Sequence, residues 1–227
     1  MVVEILNDAG SVAAKAAAII AVEARSAIAE RGRFVIAVSG GHTPWAMLKV
    51  LAREDLNWRD VMFVQVDERI APAGDPDRNL THLRESLLAA PLNPEQIYAM
   101  PVEASNPSAA ASQYSKTLEG IAGAPIVLDL VHLGLGPDGH TASLIPNDPV
   151  LEVTDRDVAL TGIYQGRNRM TLTYPVINRA RRILWLVTGS DKVTALGQLR
   201  NGDTSIPAGR IRREESLLLA DRSAAGQ

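Results

Sequence analysis

Cysteine is absent from the 227 residues. Thiol nucleophiles, cysteine-ligated zinc and disulfide frameworks are thereby excluded, and the absence fits a reducing cytoplasm. Histidine is scarce: there are four copies and no H-x-x-x-H pair, so the usual zinc spacings are missing. Asp67 and Glu68 are adjacent carboxylates, but Arg69 beside them supplies a counter-charge, and no metal is expected. Aromatic residues make up 4% of the chain and give no interleaved platform for single-stranded nucleic acid. Positive charge is not in excess either, and a formal net charge of −3 argues against general nucleic-acid binding. No uninterrupted run of about 18 apolar residues occurs, so no membrane span is expected. Lys15, Glu23 and Arg25 interrupt the alanine-rich stretch near the N-terminus, which reads as a helix rather than a secretory segment.

What is present is a recurring strand, polar loop and helix. Residues 11–31 have helical composition and stop at Gly32, a residue suited to a left-handed helix end. FVIAVSGGHTP then gives a short apolar run, a glycine loop, and Pro44 suited to a first helical turn. VMFVQVDERIAP repeats the scheme, with a strand over 61–66 and Asp67–Glu68–Arg69 at its exit. Asp77 or Asn79 is placed to cap the next helix, whose Leu80, Leu83, Leu87 and Leu88 form an apolar stripe. A helix over about 108–119 precedes the strand IVLDLVHLGLG, and RRILWLVTGSDK is a fourth strand running into a helix that Ser190 is placed to cap. Near-continuous apolar strands are those buried on both faces, which predicts a parallel sheet covered by helices. VALTGIY and RMTLTY, within 158–173, alternate and predict a small antiparallel addition. No low-complexity linker or fixed-period repeat divides the chain, so residues 1–227 read as one domain.

Ligands of such sheets sit beyond the carboxyl ends of the strands. Four strand exits here are rich in glycine, hydroxyls, acids, imidazole and cations. SGGHTP can bring backbone N–H groups and a helix N-terminus up to an anion, or it is an ordinary tight turn. Lys192 falls near the first turn of a helix, where a cation is disfavoured unless an anion is bound. Arg169 shares a strand face with Thr171 and Thr173, a grouping able to grip phosphate oxygens. His140 is the candidate general base, since an imidazole titrates near neutrality. Asp138 either orients it or bonds loop amides. His132, inside an apolar run, reads as core, His82 as surface or half-buried, and His42 as loop or solvent-facing. Ser39 sits on a strand–turn–helix like a G-x-S-x-G elbow, but Ala37 replaces the first glycine.

Taken together, VSGGHTP, VDERIAP with RNLTHLRESLL, GLGPDGHTASLIP and RMTLTYPVINRARRILWLVTGSDK resemble the 6-phosphogluconolactonase family nearly end to end. GLGPDGHTASLIP is the most specific piece. The related glucosamine-6-phosphate deaminases keep the D-G-H core but continue it differently. The resemblance implies a modified doubly wound α/β fold, mostly parallel with helices on both faces. It implies hydrolysis of 6-phospho-D-glucono-1,5-lactone by a cytoplasmic, monomeric enzyme with no cofactor. His140 then matches the water-activating histidine. Gly40, Gly41, Thr43, Arg169 and Lys192 match the phosphate-holding elements, and Asp67 and Arg69 match the D-E-R element at the site. Arg78, Ile145 and Asn147 depart from the family pattern, standing where serine, phenylalanine and glycine are common, and the first two are expected at the pocket edge. The alternatives are a deaminase/isomerase-like enzyme and a sugar-phosphate sensor, although sensors ordinarily carry a DNA-binding segment for which this chain leaves no room.

Overall fold

The computed structural model describes residues 1–227. In chain order it contains β1 (Val2–Leu6), α1 (Ala9–Arg31), β2 (Phe34–Val38), α2 (His42–Leu51), β3 (Val61–Gln65), β4 (Asp67–Arg69), α3 (Asn79–Ser86) and β5 (Ile97–Tyr98). There follow α4 (Pro107–Ala122), β6 (Leu130–Leu133), β7 (Val158–Leu160), β8 (Arg169–Leu172), α5 (Tyr174–Arg179), β9 (Arg182–Val187), α6 (Val193–Asn201) and β10 (Ser216–Asp221). Seven strands form one parallel sheet in the order β1-β10-β9-β6-β2-β3-β5. The predicted antiparallel addition is present as β4-β8-β7, and it also recruits Asp67–Glu68–Arg69, which the sequence suggests only as a strand exit.

Strand alternation distributes the core. In β2, Phe34, Ile36 and Val38 face α1, α2 and α3, while Val35 and Ala37 face α4, α5, α6 and the small sheet. Helices therefore cover both faces, and central strands such as β2 and β6 are buried along their whole length. The small sheet closes one of these layers with Val158, Ala159, Met170 and Leu172.

Local signals explain both ends of α1. The Asp8 carboxylate accepts from the Ser11 N–H at 2.7 Å and opens α1, and Gly32 ends it at φ 74. Two predicted caps are not there. Neither Asp77 nor Asn79 caps α3; the Asn79 and Leu80 N–H groups instead donate to the Glu68 carboxylate at 2.8 and 2.9 Å. Glu68 lies far away in sequence, so no local pattern announces it. Ser190 caps nothing either, because a 3-10 turn over Ser190–Lys192 intervenes before α6. The leucine stripe of α3 is shorter than expected: Leu83 and Leu87 are buried, but Leu88 is 82% exposed beyond the helix end.

β9, β6, β2 and β3 are neighbours in the sheet, so the four polar exits meet at one rim. The chain runs from β2 outward through β3 to β5, then returns to β6 on the other side of β2. That reversal between β2 and β6 opens a crevice at the carboxyl ends of the two strands.

Candidate active site

The crevice is a cleft of about 580 Å³, and all nine sequence-predicted site residues except Asp138 line it. Asp138 stands directly behind one that does. His140 Nδ1 and Asp138 Oδ1 are 2.5 Å apart, and the same carboxylate accepts from the His140 backbone N–H at 3.2 Å. Asp138 therefore both shapes the loop and orients the ring. Burial pushes the Asp138 carboxyl up, but the His140 charge and the hydrogen bonds from His140 and Tyr164 outweigh it and hold it below the ordinary value. An ionised Asp138 keeps the proton on Nδ1 and leaves the Nε2 lone pair free.

The glycines of this loop are not equivalent. A Cβ at Gly136 would lie 2.1 Å from His140 Nδ1 and 2.7 Å from Asp138 Oδ1, so only glycine leaves room for the pair. A Cβ at Gly134 would meet nothing within 4 Å. The Gly136 N–H donates to His140 O at 2.8 Å and the Gly139 N–H to Gly136 O at 3.0 Å. Both amides are thus spent inside the loop.

At the β2 exit, Gly41 has φ 133 and precedes α2, whose first turn opens on the cleft. The Gly40 Cα packs so closely on Asn79 that a Cβ would stand 2.0 Å from its Oδ1. Thr43 Oγ1 meets Thr188 Oγ1 at 2.7 Å, tying the β2 loop to the β9 exit. Lys192 reaches the cleft from the 3-10 turn, and its Nζ lies 2.8 Å from the exposed Asp191. A pair of that kind is weak and yields readily to a bound anion.

Arg169 is 4% exposed, yet it forms no salt bridge. Its guanidinium donates to Gln165 Oε1 at 3.1 Å, and its Nε has no partner at all. Burial pulls its pKa below the ordinary value. A buried cation without a carboxylate is costly, and a bound anion removes that cost. The two threonines expected beside it are engaged elsewhere. Thr171 Oγ1 accepts from the Ser143 N–H and donates to Leu172 O, and Thr173 Oγ1 donates to Arg156 O.

The D-E-R element is held from beneath. Glu68, wholly buried, accepts from Gln65 and from the amides of Arg69, Asn79 and Leu80, and forms an ion pair with Arg78, whose Nε lies 3.1 Å away. Arg78 is itself 2% exposed and reaches Glu103 Oε1 at 2.7 Å. It belongs to the scaffold rather than the pocket edge, and Ile145 likewise is core and does not line the cleft. Asn147 takes φ 63, a conformation that asparagine tolerates where glycine is ordinarily used. Asp67 accepts from Ser143 Oγ at 2.7 Å, and Arg69 donates to Asp77 O and to Asn79 Oδ1, leaving part of its fork free.

Three further polar side chains line the cleft that no sequence motif marks as site residues: Asn79, which the sequence offers only as a cap, Gln165 in the loop after β7, and Thr188 just before Gly189–Ser190–Asp191–Lys192. The serine-nucleophile alternative fails on geometry. Ser39 Oγ donates to the His132 carbonyl at 3.1 Å, while His132 Nδ1 accepts from the Ser39 backbone N–H. His132 is wholly buried, and desolvation pulls its pKa down to about 3, so it is the neutral core histidine predicted. No three His, Asp or Glu side chains converge as metal ligands, and no helix is long and apolar enough to cross a membrane.

Known proteins resemble this chain in sequence and fold. The family model for glucosamine-6-phosphate isomerases/6-phosphogluconolactonase matches residues 7–219. A 6-phosphogluconolactonase from Synechocystis sp. is 42% identical over 178 residues, covering 76% of this chain and 74% of that one. One from Nostoc sp. is 34% identical over 232 residues, covering 99% and 96%. The crystal structure of the Thermotoga maritima 6-phosphogluconolactonase superposes with a TM-score of 0.86 at 25% identity, over 97% of this chain and 98% of that one. The chain belongs to the glucosamine-6-phosphate isomerase/6-phosphogluconolactonase family.

Proposed function

We propose that this chain hydrolyses 6-phospho-D-glucono-1,5-lactone to 6-phospho-D-gluconate. One observation carries the reading: an unpaired buried cation, Arg169, and an oriented imidazole, His140, line the same cleft. Relatives at 42% and 34% identity that carry the name 6-phosphogluconolactonase support the same reading.

The phosphate is held by Arg169 and Lys192 and by the open amides of the Gly40–Gly41–Thr43 loop, where the dipole of α2 adds to the attraction. That anchor fixes the sugar and presents its C1 carbonyl to His140. His140 Nε2 takes a proton from a water as the water oxygen bonds to C1, and Asp138 stabilises the imidazolium that forms. The tetrahedral oxyanion needs donors. The Gly136 and Gly139 amides are already bonded, so the free part of the Arg69 fork takes this role, with Asp67 and Asn79 setting its position. When the C1–ring oxygen bond breaks, the imidazolium returns its proton to the ring oxygen. The acid product and the neutral imidazole complete the balance. No step calls on a metal or organic cofactor.

The working unit is a monomer acting in the cytoplasm, with no nucleic-acid partner. The net charge of −3 supports the absence of a nucleic-acid partner. Because the family model also covers glucosamine-6-phosphate isomerases, the test pairs two substrates. Freshly generated 6-phosphogluconolactone should disappear faster than its spontaneous hydrolysis, while glucosamine 6-phosphate should release no ammonia. Ammonia release without lactone loss would assign the other branch of the family.

A further inference from the structure

Tyr164 touches both the Asp138–His140 pair and Arg169. Its hydroxyl donates to Asp138 Oδ2 at 3.0 Å and stands 3.4 Å from His140 Nδ1. Its ring meets the imidazole edge-on, with centroids 5.4 Å apart. The same ring lies under the Arg169 guanidinium, whose carbon is 5.0 Å from the ring centre, within the range of a cation–π contact.

The backbone is built to hold it there. Tyr164 and Arg167 exchange both backbone hydrogen bonds around a two-residue turn, with Gln165 at φ 51 and Gly166 at φ 80. That is a type I′ hairpin turn, and glutamine is not a residue such a position favours. The strained residue earns its place through its side chain, which accepts from Arg169. Arg167 then pins the far end of the turn to Asp75 and Asp77 at 3.0 and 3.1 Å.

We propose that Tyr164 is a positioning residue with two separable duties: its hydroxyl fixes the Asp138–His140 pair, and its ring fixes Arg169 for the phosphate. The proposal rests on the lactonase reading above. With Oδ2 held by the phenol, Asp138 has only Oδ1 to offer His140, so the ring has one orientation. With its face on the tyrosine, Arg169 keeps its fork in the cleft although no carboxylate holds it. Burial, followed by the neighbouring Asp138 carboxylate, pushes the phenol up from its ordinary value of 10.0, so it remains a donor across the working range.

Two substitutions separate the duties. Tyr164→Phe removes only the hydroxyl, and should lower kcat by about 10-fold while leaving KM within twofold, the scale of one hydrogen bond to a charged group. Tyr164→Leu removes the ring as well, and should add a rise in KM of about 3- to 10-fold for the phosphorylated lactone. Calorimetric titration with 6-phosphogluconate gives a readout that does not depend on turnover: Tyr164→Leu should weaken binding by a similar factor, and Tyr164→Phe should not. Wild-type kcat in Tyr164→Phe, or equal losses in both constants for the two variants, would overturn the proposal. A wild-type chain that binds 6-phosphogluconate but hydrolyses no lactone would instead overturn the functional reading, and the titration would still decide the role of the ring.

Discussion

Gly136→Ala adds one methyl group, and the structure fixes where it lands. The new Cβ would be 2.1 Å from His140 Nδ1 and 2.2 Å from Cε1. Carbon and nitrogen in ordinary contact sit about 3.5 Å apart, so the ring must withdraw by about 1.4 Å. It has somewhere to go, because the His140 side chain is 20% exposed and faces the cleft. Gly136 does not have a positive φ, so alanine fits its backbone, and the loop hydrogen bonds to Gly136 survive. The cost therefore falls on position rather than on folding. A displacement of about 1 Å at a reacting group is worth on the order of 100-fold in rate. Lactone hydrolysis by Gly136→Ala should fall about 100-fold in kcat, with stability to urea changed by less than about 1 kcal/mol. A variant with near-normal turnover would refute the placement of His140 as the base. A variant that failed to fold would refute the claim that the ring yields first.

Four further outcomes follow from the same geometry. Arg169→Met should raise KM for the phosphorylated lactone by about 10-fold or more in steady-state assays, and it should not destabilise the chain, since it removes an uncompensated buried charge. Lys192→Ala should also raise KM, by about 3- to 10-fold as read in the same assay, and that rise should shrink at high salt because the side chain is partly exposed. Arg78→Met leaves Glu68 buried without a counter-charge and should cost about 3–5 kcal/mol by denaturant titration, while the double variant with Glu68→Gln should recover part of the loss. His132 is neutral when folded and protonates below 6.5 once unfolded, so its contribution to stability is complete above that pH and is lost as pH falls toward about 3. Between pH 6.5 and 5, wild-type stability to urea should fall by about 2 kcal/mol more than that of His132→Gln.

The central strands were legible because burial on both faces leaves near-continuous apolar runs. β1 and β10 were not. β1 is an edge strand with Val2 and Val3 exposed, and SLLLAD lacks the polar loop and helix that marked the other strands. The site was legible at its motif residues, because glycine, acid, imidazole and cation are unusual at a single rim. What could not be read were partners distant in the chain. Glu68 caps α3 across a turn, Asn79 serves Arg69 rather than its own helix, and Thr171 is spent on Ser143. Tyr164 did leave a trace: it ends the alternating run VALTGIY, and the four residues before RMTLTY include Gly166, a residue suited to a hairpin turn.

The central claim is that His140 activates water for a lactone whose phosphate is held across the cleft. Its most direct test is the initial rate of 6-phosphogluconolactone loss, corrected for spontaneous hydrolysis, for the wild type and His140→Ala side by side. The wild type should show saturable catalysis, and His140→Ala should lose about 10²–10⁴-fold in kcat with little change in KM. Equal rates in the two proteins would contradict the account.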